Sequence, residues 1–325
     1  MIWRRALKRD DVIAAYRAIL GREPESEDTV RAHLKHRSAA DLINALSNSD
    51  EVKRMRARQE KRESESLTPG FNQARQTVNG RDLYLDLMPL VLTNMIYGDP
   101  SNNPANTGPY SSELRANGED WPVQAHTMAG LKRLNNIRAL MQIALEDGVA
   151  GHFIETGVWR GGCCILMRAV LAAHGITDRT VYALDSFEGL PPPNPADYPD
   201  DEGLNLNEYE QFAVGLEEVK DNFRRYGLLD EQIEFVKGYF DATLPKLDAG
   251  PFALMRLDGD LYESTHLALE HLYPKLSPGG FVLIDDYGCI PQCAKAVDDY
   301  RAAHNVTAPI TWVDWTGVWW RKPFQ

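Results

Sequence analysis

Two short acidic stretches carry the sharpest chemical signal in the chain, Asp258-Gly259-Asp260 and Asp285-Asp286. Each closes an apolar run. Carboxylates clustered in this way repel one another, and only a cation or protonation relieves the repulsion. An all-oxygen donor set suits a hard divalent ion such as Mg²⁺. Such an ion orients a bound hydroxyl and makes it more acidic. Asp260, just beyond Asp258, is then available as a general base. The plainer alternative is helix N-cap duty, with Asp260 ahead of a helix at Ser264 and Asp286 ahead of one after Pro291.

A second signal lies between Gly151 and Pro191. The run Phe153-Ile154-Glu155 ends in an acid and enters the glycine-rich turn Thr156-Gly157-Val158-Trp159-Arg160-Gly161-Gly162. A helical pattern follows, and the next apolar run ends in Asp185-Ser186-Phe187. This outlines a nucleotide-binding β-α-β unit, with Asp185 where a ribose-binding carboxylate sits. The G-x-G-x-x-G spacing is absent. The turn reads E-T-G-x-x-x-G-G, which suits a ligand without a pyrophosphate, such as the cationic amino-acid tail of S-adenosylmethionine.

The elements that must position these residues alternate. Expected strands are Phe153–Glu155, Val181–Asp185, Ile233–Lys237, Phe252–Asp258 and Phe281–Asp285. Expected helices are Ile165–Ala173, Phe212–Tyr226 (closed by Gly227), Ser264–Tyr273 and Cys293–His304, with a turn at Ser277-Pro278-Gly279-Gly280. Thr311–Asp314 and Gly317–Arg321 read as a closing antiparallel pair. The fold class is therefore α/β, a doubly wound and mostly parallel sheet whose ligands sit at the carboxyl ends of the strands. Every expected strand but the third ends in an acid: Glu155, Asp185, Asp258 and Asp285. Upstream, Asp82–Tyr97 is periodic, residues 98–118 form a long loop, and a helix follows Trp121–Met128 and runs through Leu145. The loop and the segment Pro191–Pro199 are candidate lids.

Composition narrows the class. The chain has 325 residues, 43% hydrophobic and 25% charged, with a net charge of −12. That charge disfavours nucleic acid and anionic membranes as partners. No apolar run is long enough to span a membrane. Lys8, Arg9, Asp10 and Asp11 stand where a signal peptide would need an apolar stretch. The four cysteines do not form a disulfide framework. Cys163 and Cys164 read as buried thiols, and Cys289 and Cys293 lack the partner pair of a zinc site. A cytoplasmic protein fits. Residues 1–58 read as a small all-helical module, with helices at Asp11–Leu20, Ser26–Leu34 and Ala39–Ser47, the last N-capped by Ser38. Residues 59–80 read as a charged linker, and 81–325 as the main domain. Tyr16–Pro24 together with Leu42–Glu51 resembles the DUF4214 type of helical module, and docking or oligomerisation is its default role.

Taken together, Ile154–Gly162, Asp185–Pro191, Arg256–Thr265, Asp285–Gly288 and Trp121-Pro122-x-x-Ala125-His126-Thr127-Met128-x-Gly130 closely resemble the macrocin O-methyltransferase (TylF/MycF) family. The resemblance runs from Asp82 to Arg321. It implies a Rossmann-like sheet and a reaction dependent on S-adenosylmethionine and Mg²⁺ at a sugar hydroxyl. It implies that Glu155, Thr156, Gly157 and Gly161 line the methionine end of the cofactor, and that Asp185 holds the ribose with Ser186 and Phe187 flanking the adenosine. Gly238 and Phe240 would close the adenine side, and Met128 would touch the cofactor or pack in the core. Asp258, Asp285 and Asp286 match the metal ligands, and Asp260 the base. His126 is a substrate contact or a satisfied loop histidine. The N-terminal module departs from antibiotic-tailoring members, so the acceptor is a small-molecule glycoside or a bacterial glycan. A homodimer follows from family habit. The alternatives are a nicotinamide-dependent oxidoreductase on the same sheet and a non-catalytic scaffold.

Overall fold

The computed structural model describes residues 79–324 without a break, together with residues 8, 9, 12, 13, 16, 24, 26–36, 42, 45 and 46. The chain forms two compact units, Met1–Thr77 and Val78–Gln325. The expected linker falls almost wholly outside the described residues, as does Ser38. In the first unit, helix α1 (Glu27–His33) starts at Ser26, whose side chain accepts from the Thr29 N–H. Val12, Tyr16, Val30, Leu42 and Leu46 share a small core.

The second unit is built on a seven-stranded sheet. Its strands are β1 (His152–Thr156), β2 (Val181–Asp185), β3 (Ile233–Lys237), β4 (Phe252–Leu257), β5 (Leu276–Ile284), β6 (Thr311–Trp312) and β7 (Val318–Arg321). The order is β3-β2-β1-β4-β5-β7-β6. The first five strands pair in parallel, and β7 runs antiparallel to both β5 and β6. The helices are α2 (Gly80–Leu92), α3 (Ser112–Asn117), α4 (Gly130–Glu146), α5 (Gly162–Ala173), α6 (Leu216–Arg225), α7 (Phe240–Thr243), α8 (Tyr262–Leu272) and α9 (Pro291–Ala303). β4 is buried along its whole length, as parallel strands covered on both faces must be. One core cluster joins α2, α4 and α5 to the sheet, and the other joins α8 and α9.

Three expectations are corrected. Ser277–Gly280 is not a free turn. It belongs to β5, because the backbone of Gly279 and Gly280 bonds to Lys322 and Pro323 beyond β7. The helix expected from Phe212 begins at Leu216, since Phe212 closes a 3₁₀ turn and packs its ring 4.8 Å from that of Trp121. The N-cap alternative fails for both acids: Leu261 and Ile290 occupy the cap positions of α8 and α9. The free N–H groups of α8 are taken by Asp201, whose carboxylate accepts from Tyr262 at 2.7 Å and Glu263 at 3.0 Å. Asp201 thereby pins the proline-rich excursion to the sheet domain.

The loop over residues 98–118 is anchored rather than free. Arg115 is wholly buried and donates to Asp99, to Asp120 and to the carbonyls of Thr93 and Asp99. Removing one member of a buried ion pair strands the others without compensation. Arg115→Met is expected to cost about 3–5 kcal/mol in denaturant unfolding. A loss below ~1 kcal/mol would show that the loop is held by other contacts.

Candidate active site

Buried arginines organise the carboxyl edge of the sheet. Arg256 of β4 sits beside Glu155 of β1 in the strand register. Its Nη1 donates to Glu155 Oε1 at 2.5 Å and to Asp258 Oδ2 at 2.7 Å, and its Nη2 donates to Asp285 Oδ1. The second oxygen of Asp285 is taken by Arg133 of α4, which also reaches Asp314 at 3.0 Å and the carbonyl of Gly118 at 3.1 Å. Burial alone would raise the Asp285 carboxyl, but the two guanidiniums outweigh it and hold that carboxyl low. Burial pushes Glu155 up to about 7 despite Arg256. Its remaining oxygen accepts from the Cys164 thiol at 2.8 Å.

Beyond these pairs lies a tighter acidic group. Asp258, Asp260 and Asp286 each bring one oxygen within 4.8 Å of the others. Burial, and then repulsion from neighbouring carboxylates, raises all three carboxyls, Asp258 against the pull of Arg256 and Asp260 to about 8. Asp286 Oδ2 is buried without a hydrogen-bond partner. A buried orphan oxygen in a cluster of carboxylates fits a hard divalent cation. Both oxygens of Asp285 accept from arginines, one from Arg256 and one from Arg133, and each keeps further acceptor capacity.

The turns after β1, β2 and β4 share a backbone signature. Trp159, Phe187 and Asp260 all have positive φ, at 49°, 55° and 60°. For bulky residues this conformation is strained, and such strain clusters at functional sites. Asp185 fixes two of these turns. Its Oδ2 accepts from the N–H of Val158 at 2.6 Å and Trp159 at 3.2 Å, and its Oδ1 from Phe187 at 2.7 Å. Gly157 is required by a close approach: a Cβ there would lie 1.7 Å from the Asp258 carbonyl oxygen.

One cavity of about 320 Å³ runs along this edge, within the size range of small-molecule sites. Of the expected cofactor residues, Met128, Gly157, Asp185, Ser186, Phe240 and Asp258 line it. Asp260, Asp285 and Asp286 line its other part. Glu155, Thr156, Gly161, Phe187 and Gly238 do not. Glu155 points inward to Arg256 and Cys164, and Thr156 is fully buried. Gly161 makes room for Val219 and Phe223 of α6. Phe187 packs against Phe235, and the Gly238 N–H bonds to the Asp185 carbonyl. His126 is the satisfied histidine: Nδ1 lies 2.7 Å from the Tyr226 hydroxyl, and burial lowers its pKa to about 4. Cys163, Cys164, Cys289 and Cys293 are all free thiols. Sequence reasoning missed Arg133, Arg115 and Asp201; a charged residue inside a helical apolar pattern was the available signal for Arg133.

This order of strands, with acids at the carboxyl ends around one cavity, is the architecture of Rossmann-like methyltransferases. Residues 81–322 match the family described as macrocin-O-methyltransferase (TylF). The chain is 53% identical over 247 residues to an 8-demethyl-8-(2,3-dimethoxy-α-L-rhamnosyl)-tetracenomycin-C 4'-O-methyltransferase of Streptomyces olivaceus, covering 75% of this chain and 94% of that protein. It is 45% identical over 248 residues to a mycinamicin III 3''-O-methyltransferase of Micromonospora griseorubida, covering 75% and 97% of the two chains. The solved structure of the O-methyltransferase NovP superimposes with a TM-score of 0.72 at 46% identity, over 75% of this chain and 99% of that one. The chain belongs to the macrocin O-methyltransferase family, and it is an enzyme of the O-methyltransferase class. The match begins at residue 81, so the N-terminal unit lies outside it.

The acidic cluster makes a stability prediction. Asp260 titrates near 8 in the folded chain, against 3.8 as an ordinary aspartate. Between those values the folded state holds the extra proton, so stability falls as pH rises. In chelator, Asp260→Asn should therefore melt higher than the parent at pH about 8, with the gap narrowing toward pH about 5. A variant that melts lower at both pH values would contradict the repulsion.

Proposed function

We propose that this chain transfers a methyl group from S-adenosylmethionine to a hydroxyl of a sugar carried on a glycosylated natural product. The observation that carries the reading is the shared cavity, with Asp185, Ser186 and Gly157 at one part and Asp258, Asp260 and Asp286 at the other. S-adenosylmethionine supplies an electrophilic methyl group on a sulfonium. The acceptor oxygen bonds to the methyl carbon as the carbon–sulfur bond breaks, and the hydroxyl proton passes to a base.

Asp260 is the residue for that proton. It makes no hydrogen bond among the described residues, and its raised pKa suits a group that accepts a proton near neutrality. Asp258 and Asp286 would hold a divalent cation such as Mg²⁺, whose charge would make the sugar hydroxyl more acidic. Asp185 keeps the β1 and β2 turns in place, and Met128, which lines the same cavity, would touch the donor. Much of the acceleration then comes from holding acceptor oxygen, methyl carbon and sulfur in line.

The cavity's charges favour a neutral glycoside over a nucleotide-sugar. Among its described lining residues Arg133 is the sole cation, and it is committed to Asp285, Asp314 and the Gly118 carbonyl. A pyrophosphate would meet carboxylates there, with no uncommitted arginine or lysine among the described lining residues. The relatives named for rhamnosyl-tetracenomycin and mycinamicin acceptors support the same class.

Asp260→Asn is expected to bind S-adenosylmethionine normally in calorimetry while losing at least ~100-fold in turnover, the lower range for a general base. Unchanged turnover would remove the base assignment. Chelation should abolish methyl transfer and added Mg²⁺ restore it; full activity in chelator would exclude the metal role.

A further inference from the structure

The cavity has a third part that neither the donor residues nor the acids account for. The turn between β6 and β7 places Trp315 on its wall, while 48% of that residue stays exposed. In the sheet order β2, β1, β4, β5, β7, β6, this turn lies beyond β5. Along the carboxyl edge the donor residues come first, then the carboxylates, then Trp315.

The turn is held from several sides. Asp314 Oδ1 accepts from the N–H of Thr316 at 3.0 Å and Gly317 at 2.7 Å, and its Oδ2 accepts from Arg133. The Thr316 hydroxyl donates to the Asp285 carbonyl at 2.9 Å. The Gly288 N–H donates to the Thr316 carbonyl at 2.9 Å, and a Cβ on Gly288 would lie 2.4 Å from the Trp315 carbonyl oxygen. The Trp315 indole N–H donates to the Asn117 carbonyl at 3.0 Å. The indole's one donor is therefore spent, and what the ring offers the cavity is its apolar face. That face is the negative pole of the aromatic quadrupole. A pyranose has a face of C–H groups that matches it, and a rim of hydroxyls that matches the neighbouring carboxylates.

We propose that Trp315 is the platform on which the acceptor's sugar ring stacks, presenting one ring hydroxyl to the Asp260 side of the cavity. The proposal rests on the sugar-acceptor reading. It makes Trp315 a specificity-determining contact that acts on affinity for the ring and takes no part in bond making.

The test compares wild type, Trp315→Phe and Trp315→Ala in methyl transfer to para-nitrophenyl α-L-rhamnopyranoside and to a rhamnosylated polyketide. Donor affinity is followed by calorimetry. Trp315→Ala should raise the acceptor KM roughly tenfold, with kcat within about twofold and donor affinity unchanged. Trp315→Phe keeps an aromatic face but loses the N–H bond to Asn117, so its KM should stay within about threefold of wild type. A wild-type KM in Trp315→Ala overturns the platform. So does an equal loss in both variants, which would make the residue an anchor for Asn117. A wild type that binds S-adenosylmethionine yet methylates neither rhamnoside overturns the acceptor reading, and the platform with it.

Discussion

The Arg256 guanidinium is the constraint on which the edge of the sheet depends. It touches carboxylates from three neighbouring strand ends: Glu155 near the end of β1, Asp258 after β4 and Asp285 after β5. Glu155 and Asp258 have no other ion-pair partner among the described residues and would be left uncompensated if the arginine were lost, whereas Asp285 would keep Arg133. The pairing also sorts the acids. Glu155 and Asp285 spend their oxygens on structure. Asp258 keeps part of its capacity, and Asp260 and Asp286 feel Arg256 and Arg133 only at a distance, with no ion pair among the described residues.

Around that constraint the strand ends divide the work. Asp185 ties the β1 turn to the β2 turn through backbone N–H groups and shapes that end of the cavity. The β4 and β5 ends hold the acids, and the β6–β7 turn forms the far wall. Arg133 links the last two, because it bonds to Asp285 and Asp314 together while also holding the carbonyl of Gly118. Gly118 and Gly317 leave room for it: a Cβ on either would lie within 3.0 Å of the arginine side chain. The raised carboxyls at the centre cost stability, as expected where like charges are gathered in a partly buried cleft.

The sheet was legible in the sequence because parallel strands are short apolar runs bounded by turns, and the acids closing them needed no partner to be seen. Asp258, Asp260 and Asp286 were found for that reason. Glu155 was placed at the donor because it precedes the glycine turn; position in sequence does not show that Arg256, across the strand pair, draws it inward. Asp201 and Arg133 escaped because their partners lie far along the chain, at Tyr262 and Asp285, and Arg115 because it sits in a stretch that reads as loop. Such contacts exist only once the fold has formed. Trp315 read as part of a closing hairpin for the same reason: its neighbours Asn117 and Gly288 come from other elements.

The central claim is that one cavity holds the donor over β1 and β2 and the reacting groups over β4 and β5. A crystal structure of the chain with S-adenosylhomocysteine, Mg²⁺ and a rhamnoside tests it most directly. The account predicts the nucleoside beside Asp185 and Ser186, an ion on Asp258 and Asp286, and the sugar between Asp260 and Trp315. A nucleoside bound away from the β1 and β2 turns, or a saturated complex with no ion at these carboxylates, would contradict it.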